Sequence, residues 1–350
     1  MPRTSPDTHT PGPPEPPVPP EPPAPAPHEH RVPVLDLGLD RPSDPAHRLR
    51  TAAAIRRACE TSGFFVVTGH GVPDVVVAAL HERARSFFTG PAEEKERVAN
   101  DPADPLQHGF GANPRMELFG ASRAGETDRP DTAPGQDFAA LGSRNRWPDL
   151  PGFREAFLDY YAAVDDLSLD LLRLFALALD LPERWFDDKF DRQITPLMAN
   201  YYPPRPASGW SSPYRNSPHL DIGALTVLYQ DDTPCGLEIR TADGQWHPVP
   251  PVPGSFVVNI GSLMTRWTND RWSSALHRVV NPTDDLADRD RISLAFFCQP
   301  NPDADIAALP TCTGPDDPAR HPPVRAGDYF LAKSRRFYLQ RRLGRSDALR

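Results

Sequence analysis

The sequence predicts a mainly β protein with flanking helices, and a jelly roll is the core that fits it best. In the second half of the chain, short apolar segments with a period near two are separated by turn signals such as Asp243-Gly244 and Pro253-Gly254. This pattern is typical of a β-sandwich or barrel. In the first half, helical segments surround two strand-like ones, which indicates an N-terminal α/β extension.

Length and charge limit the kind of protein. A chain of 350 residues is compatible with one β-barrel or sandwich enzyme. The formal net charge of −9 repels phosphate backbones and anionic lipids, so we expect a small-molecule substrate and neither nucleic acid nor membrane as partner. The sequence has no run of eighteen apolar residues and no apolar signal segment near its start, which predicts a cytoplasmic protein. Nothing in it predicts the oligomeric state.

The chain begins with a proline-rich stretch. Proline makes up 45 of the 350 residues, and the segment from Pro11 to Pro33 is almost wholly Pro, Ala, Glu and His. Such a composition cannot bury a core. Residues 1–30 are therefore predicted to be a disordered tail.

The cysteines do not indicate a metal or disulfide framework. Cys59, Cys235, Cys298 and Cys312 are far apart and form no C-x-x-C pair, which argues against a zinc knuckle. We interpret them as small buried hydrophobic residues.

The first ordered elements are two strands with a helix between them. Val32–Leu37 alternates like a short strand, and a helical segment around Ile55 follows. The apolar run Gly63–Val67 then predicts a buried strand that ends near Gly69.

Two helical segments and an irregular one come next. Residues 74–98 have helical periodicity, whereas residues 100–147 are rich in Gly, Pro, Asp and Arg and are predicted to be an irregular segment and a candidate lid. From Phe153 to Leu181 apolar residues recur at steps of four and three, which places one apolar stripe along a long helix. We expect this helix to brace a sheet.

The period-two segments of the second half are the predicted core strands. They are Met198–Tyr202, Ala224–Tyr229, Leu237–Arg240, Ser255–Ile260, Ala275–Val280 and Ile292–Phe297.

Three side chains of this half are candidate metal ligands. His219 and Asp221 are two positions apart at the entrance to a strand, where alternate side chains point the same way. His277 lies in a strand-like segment that is otherwise apolar on both sides. Two histidines and one carboxylate on one face of an octahedron leave three positions open, as in non-haem Fe(II) oxygenases. Zinc accepts the same ligand types, so the ligands alone do not separate the two metals.

A second group of residues suits a dicarboxylate. Arg291 and Ser293 open a strand and face the same side. A guanidinium binds a carboxylate through two parallel hydrogen bonds, and a hydroxyl adds a third. Tyr202 supplies a phenol that could donate to the same carboxylate. The other end of the dicarboxylate would chelate the metal; taken alone, Arg291 also fits an ordinary ion pair.

These motifs together resemble the isopenicillin N synthase-like branch of the 2-oxoglutarate/Fe(II)-dependent dioxygenase superfamily. The resemblance covers most of residues 31 to 300. The motifs are Val32–Leu37, Gly63–Pro73, Asn200–Pro204, His219-Leu220-Asp221, Gly236–Ile239, Asp243–Trp246, Val257–Gly261, Leu276–Val279 and Arg291-Ile292-Ser293.

The resemblance implies a double-stranded β-helix (jelly roll) core with two bound components, Fe(II) and 2-oxoglutarate, and O₂ as co-reactant. The residues that match the family's iron ligands are His219, Asp221 and His277, and those that match its 2-oxoglutarate contacts are Arg291, Ser293 and Tyr202. Phe297, Gln299 and Met198 fall where relatives place substrate contacts.

The resemblance also implies how the chain is divided and what it does. After the tail come an N-terminal dioxygenase-type domain with the long brace helix (31–190), the Fe(II)/2-oxoglutarate core (191–300) and a C-terminal extension (301–350). The implied reaction is hydroxylation, desaturation or cyclisation of a small specialised metabolite, an antibiotic among the options, with release of succinate and CO₂. The chain departs from the family's pattern over residues 116–138, which leaves the substrate open.

Three alternatives remain open at this point. An oxidase like isopenicillin N synthase needs no 2-oxoglutarate, yet keeps the Arg-x-Ser motif. A non-catalytic protein could retain the pocket and bind metal or 2-oxoglutarate. A zinc hydrolase would need a general base, and the sequence places no glutamate or other base beside the three ligands.

Overall fold

The computed structural model describes residues 32–40, 44–126, 141, 143–233 and 236–342. The predicted disordered tail and Cys235 lie outside these residues. Within them, no helix combines the length and the apolar character that a membrane span requires. The predicted division at residues 30, 190 and 300 stays a prediction.

The described elements follow the predicted order, with helices early and strands late. The helices are α1 (Pro45–Thr61), α2 (Asp74–Phe88), α3 (Ala92–Arg97), α4 (Phe153–Ala178), α5 (Ser262–Trp267) and α6 (Ala326–Arg342). The strands are β1 (Val34–Asp36), β2 (Phe64–Thr68), β3 (Gly109–Asn113), β4 (Met116–Ser122), β5 (Pro196–Tyr202), β6 (Tyr214–His219), β7 (Leu225–Gln230), β8 (Leu237–Arg240), β9 (Trp246–Pro248), β10 (Phe256–Ile260), β11 (His277–Val280), β12 (Arg291–Cys298), β13 (Asp305–Ile306) and β14 (Val324–Arg325).

Two sheets form the core. The major sheet has eight strands in the order β1-β2-β10-β7-β12-β5-β4-β3, and the minor sheet has four in the order β6-β11-β8-β9. Apart from the parallel pair β1–β2, neighbouring strands run antiparallel. The predicted mainly β, jelly-roll class is confirmed, and all six predicted core strands are present.

Strand β2 shows how the major sheet separates two layers. Side chains alternate faces along a strand. Phe65 and Val67 pack into the large cluster that includes the helices, whereas Phe64 and Val66 pack against Leu237 and other residues of the minor sheet. One face of the major sheet is therefore covered by helices, and the other encloses a space with the minor sheet.

The brace helix α4 lies on the helical face, as predicted. Its Tyr161 ring lies 5.0 Å from that of Phe296 on β12, and its Phe175 ring lies 6.3 Å from that of Phe65 on β2. The helix ends three residues earlier than predicted, and Asp180 beyond it has a left-handed φ of 58°.

Two predicted boundaries were wrong. Residues 109–122 are not irregular: β3 and β4 form a hairpin that extends the major sheet through β5. The sequence of β3, Gly-Phe-Gly-Ala-Asn, has little apolar alternation, so its pairing partner determines its structure. The predicted helix over residues 74–98 is two helices, because Pro91, which lacks an N–H, stands between α2 and α3.

Candidate metal and 2-oxoglutarate site

His219 and Asp221, which are two positions apart, meet the distant His277 between the two sheets. One ligand atom from each of His219, Asp221 and His277 lies within 4.8 Å of the others. Oδ1 of Asp221 is 3.8 Å from Nε2 of His219 and 3.6 Å from Nε2 of His277. Among the described residues, no other group of three His, Cys, Asp or Glu side chains is this compact.

Pairing within the minor sheet brings the two histidines together. His219 ends β6 and His277 begins β11, and they are register partners with ring centroids 4.2 Å apart. The Nδ1–H of His219 donates to the carbonyl of Ser217 at 2.8 Å, and that of His277 to the carbonyl of Ala275 at 3.2 Å. These bonds fix the tautomer that turns the lone pair of each Nε2 toward Asp221.

Asp221 is placed by a loop and not by strand alternation. Strand β6 ends at His219, so the i, i+2 rule does not apply to the pair as predicted. The amide of Ser262, the first residue of α5, donates to the carbonyl of Asp221 at 2.8 Å. The segment at Gly261 approaches the loop after Asp221 closely because Gly261 has no side chain. A Cβ there would lie 2.0 Å from the carbonyl oxygen of Gly223.

The carboxylate of Asp221 is held by one of its two oxygens. Oδ2 accepts hydrogen bonds from Thr226 Oγ1 at 2.5 Å and from Asn259 Nδ2 at 2.7 Å. Both donors point from the major sheet into the space between the sheets, since they are register partners on β7 and β10. This leaves Oδ1 directed toward the two histidines.

The electrostatics favour the protonation states that metal ligation needs. Burial and the neighbouring His277 lower the pKa of His219 to about 4. Burial alone would raise the pKa of Asp221, but the two imidazoles and the Thr226 and Asn259 hydrogen bonds hold it below its usual range. Near neutral pH His219 is neutral and Asp221 is ionised, so neither has to lose a proton before it binds a cation.

Asn259→Ala is predicted to weaken metal binding while leaving the three ligands in place. Partners that orient a ligand typically contribute about 10- to 100-fold in metal affinity, and we expect a loss of that size in a titration of Fe(II) under anaerobic conditions. The matched control is Asn301→Ala, because Asn301 is equally buried and its amide also binds a carboxylate, that of Asp191. Equal Fe(II) affinity in the two variants would contradict the assigned role.

The predicted cosubstrate residues lie on the same inner face of the major sheet. Arg291 and Ser293 alternate along β12 and are 1% and 2% exposed. Tyr202 is the register partner of Arg291 on β5, and its ring centroid lies 5.2 Å from the guanidinium carbon. The phenol of Tyr202 as a donor stays a prediction; what the structure shows is its ring beside the guanidinium.

Arg291 has unused donors. Its Nη2 donates to Gln230 Oε1 at 3.3 Å, but its Nε and Nη1 are buried and find no partner among the described residues. Leaving charged donors unpaired in a buried site is costly, and a carboxylate that accepts from Nη1 would give this charge a partner. The site therefore fits the distal carboxylate of 2-oxoglutarate, and the His, Asp, His set fits Fe(II).

The three predicted substrate residues share this face at the other end of β12. Phe297 is in alternation with Arg291, and Met198 is the register partner of Ala295. Gln299 is 2% exposed, and its Oε1 has no partner in the described part of the chain. Phe297 and Met198 thus lie on the face of the major sheet that carries Arg291 and Ser293, and the role of all three residues stays a prediction.

Three residues that support the site were not predicted from the sequence: Thr226, Asn259 and Gln230. Each is a polar residue in or at the end of a predicted apolar strand and is buried in the structure. A polar side chain at an inward position of a buried strand was the available signal, because such a group needs a partner.

Comparisons with known proteins agree with this geometry. Residues 194–300 match the family model of the 2OG-Fe(II) oxygenase superfamily. Residues 32–149 match the model described as non-haem dioxygenase in morphine synthesis N-terminal.

Individual relatives cover nearly the whole chain. A 2-oxoglutarate-Fe(II) type oxidoreductase of Emericella nidulans is 31% identical over 334 residues, 90% of this chain and 91% of the relative. Validamycin A dioxygenase of Streptomyces hygroscopicus is 31% identical and covers 87% of this chain and 86% of its own. A full-length Neurospora crassa protein, crystallised with alpha-KG (2-oxoglutarate) and 5-formyluracil, superposes with a TM-score of 0.76 at 26% identity and covers 87% of this chain and 95% of that one. This chain belongs to the 2-oxoglutarate- and Fe(II)-dependent oxygenase superfamily.

Proposed function

We propose that the site between the two sheets is the catalytic centre of this Fe(II)- and 2-oxoglutarate-dependent dioxygenase. The proposed iron ligands are His219, Asp221 and His277, and the proposed 2-oxoglutarate contacts are Arg291, Ser293 and Tyr202. The observation that supports this most is the buried guanidinium of Arg291, two of whose nitrogen atoms have no partner among the described residues, in a chain that also brings the three ligands together. When bound, iron and 2-oxoglutarate supply the activation of O₂, and 2-oxoglutarate leaves as succinate and CO₂.

The chain's own residues orient the components and exclude water. His219 and His277 present fixed lone pairs, and Asp221 presents one oxygen because its other oxygen is occupied. Arg291 and Ser293 would hold one end of 2-oxoglutarate, and the register of β12 fixes where these two side chains lie. Asp221 fills the carboxylate position, which argues against halogenation, since a halide ligand would need that position.

The proposed substrate is a small specialised metabolite that carries a hydrogen-bond donor. Oε1 of Gln299, which follows β12, is a buried acceptor with no partner among the described residues, while Phe297 and Met198 add apolar surface. One relative is named for validamycin A, and another was crystallised with 5-formyluracil. Both molecules are small and polar. Hydroxylation, desaturation and cyclisation all remain compatible with this pocket. We further propose a cytoplasmic location, and we propose no nucleic-acid or membrane partner because the net charge of −9 repels phosphate backbones and anionic lipids.

A turnover screen tests this function. Protein loaded with Fe(II) under anaerobic conditions is mixed with 2-oxoglutarate and candidate metabolites, O₂ is admitted, and succinate and oxidised product are quantified. We expect one succinate per product with the true substrate, and none from Zn(II)-loaded protein. Product without succinate would support the oxidase alternative, and Zn(II)-dependent turnover would support a hydrolase.

A further inference from the structure

The residues on either side of Arg291 are themselves held by charged side chains. We propose that Asp231, with the ion pair between Arg85 and Asp290, positions Arg291 for 2-oxoglutarate. This inference rests on the proposed function, because it concerns the same guanidinium. Neither Asp231 nor Arg85 faces the metal ligands; both act through the backbone and the charge around Arg291.

Asp231 binds the backbone directly after Arg291. Its Oδ2 accepts the amide N–H of Ile292 at 2.7 Å, and its own amide donates to the carbonyl of Ile292 at 3.3 Å. Its Oδ1 accepts the amide of Thr233 at 3.2 Å. Ile292 lies between the two cosubstrate residues Arg291 and Ser293. The hydrogen bonds from Asp231 therefore fix the positions of both side chains along β12.

Asp231 also balances the buried charge of Arg291 without occupying its donors. Burial alone would raise the pKa of Asp231, but the nearby His81, the Ile292 amide and the charge of Arg291 hold it below its usual range. Asp231 is 6% exposed and is therefore a buried anion near a buried cation. No ion pair joins the two in the described structure, so the N–H groups of Arg291 remain available. A direct ion pair would compete with 2-oxoglutarate for them.

A side chain of helix α2 forms an ion pair with Asp290, the residue before Arg291. Nη1 of Arg85 lies 2.6 and 2.5 Å from the two carboxylate oxygens of Asp290. His81 is one helical turn earlier on the same face, and its Nε2 lies 3.9 Å from Oδ2 of Asp231. One helix face thus reaches both sides of Arg291, which connects the N-terminal part of the chain to the cosubstrate pocket.

Asp231→Asn tests the hydrogen bonds between Asp231 and the backbone amides. An amide cannot accept both N–H groups, because its own NH₂ must face either Ile292 or Thr233, and the compensating charge is lost. We expect the Kd of the Fe(II)-loaded protein for 2-oxoglutarate, measured by anaerobic calorimetry, to rise about tenfold, the lower end for a lost charge-assisted contact. In the absence of substrate, succinate release should show a raised KM for 2-oxoglutarate and a kcat within about twofold of wild type.

The matched control is Asp104→Asn. Asp104 is also buried, accepts two backbone amides, of Leu106 and His108, and contacts a histidine ring. It should lose comparable thermal stability and keep the wild-type Kd for 2-oxoglutarate. A merely structural role for Asp231 predicts the same Kd in both variants.

Arg85→Gln keeps the inference testable if Asp231→Asn does not fold. The pair is partly exposed, with 41% and 20% of the two side chains accessible, so the protein should fold. We expect a smaller rise in Kd, about threefold, in line with a partly exposed pair. Arg192→Gln, which removes a similar two-oxygen contact to Asp303, should leave the Kd unchanged.

Hydrogen exchange of the metal-free protein gives a second readout. The amide of Ile292 should exchange faster in Asp231→Asn than in wild type or Asp104→Asn. Wild-type Kd values in both Asp231→Asn and Arg85→Gln, with unchanged exchange at Ile292, would overturn the inference. If Arg291→Ala itself binds 2-oxoglutarate like wild type, the proposed function fails instead, whatever the other variants show.

Discussion

We expect His219→Ala and His277→Ala each to abolish iron binding and succinate release. Each substitution removes one of the three proposed ligands, and the remaining pair cannot hold the ion on one face with the opposite positions open. Because partners that merely orient a ligand contribute about 10- to 100-fold in affinity, loss of a ligand itself should exceed that range. The measurement is iron content after anaerobic loading and desalting, followed by succinate release.

The control for these variants is His70→Ala. His70 is buried, and its ring binds backbone groups, the carbonyl of Gly254 and the amide of Val72, so its loss affects packing without touching the site. We expect His70→Ala to retain iron. Near-normal turnover in either ligand variant would refute the assignment of the centre.

The residue types predicted that the three candidate ligands would meet. The backbone contacts that bring them together could be predicted only in part. Strand pairing places His277 opposite His219, which was not predicted because β6 was not recognised as a strand. Asp221 follows the end of β6, and its carbonyl accepts the amide of Ser262 at the start of α5. The six-residue helix α5 lies far along the chain and approaches Asp221 through the close contact at Gly261. The sequence around Asp221 therefore does not predict this contact.

Strand β12 was the most predictable part of the site. Its alternation is complete: Arg291, Ser293 and Phe297 face inward, and Ile292, Leu294 and Phe296 pack into the helical cluster. Strands such as β6 and β3 were not predicted, because β6 contains Pro218 and β3 contains two glycines. Both are strands because neighbouring strands supply their hydrogen bonds, which is a tertiary effect that overrides local preference.

Arg291→Ala is predicted to raise the 2-oxoglutarate concentration needed for half-maximal turnover while iron binding stays close to wild type. The guanidinium is 1% exposed and is held by Gln230 on one side only, so 2-oxoglutarate would complete its hydrogen bonds. A charge-assisted contact to a carboxylate contributes about 1.5 to 3 kcal/mol, or roughly ten- to a hundredfold in affinity. Separate titrations of Fe(II) and 2-oxoglutarate distinguish the two effects.

Comparing Arg291→Lys with Arg291→Ala separates charge from geometry, because lysine keeps the charge and loses the planar pair of donors. If charge alone anchors 2-oxoglutarate, Lys should restore most of the affinity; if the two parallel hydrogen bonds matter, it should restore only part. We expect partial recovery, since Nη1 has no partner in the described structure and an ammonium replaces the planar guanidinium with a single centre. Unchanged 2-oxoglutarate dependence in Arg291→Ala would place the cosubstrate elsewhere and leave the buried cation without a function.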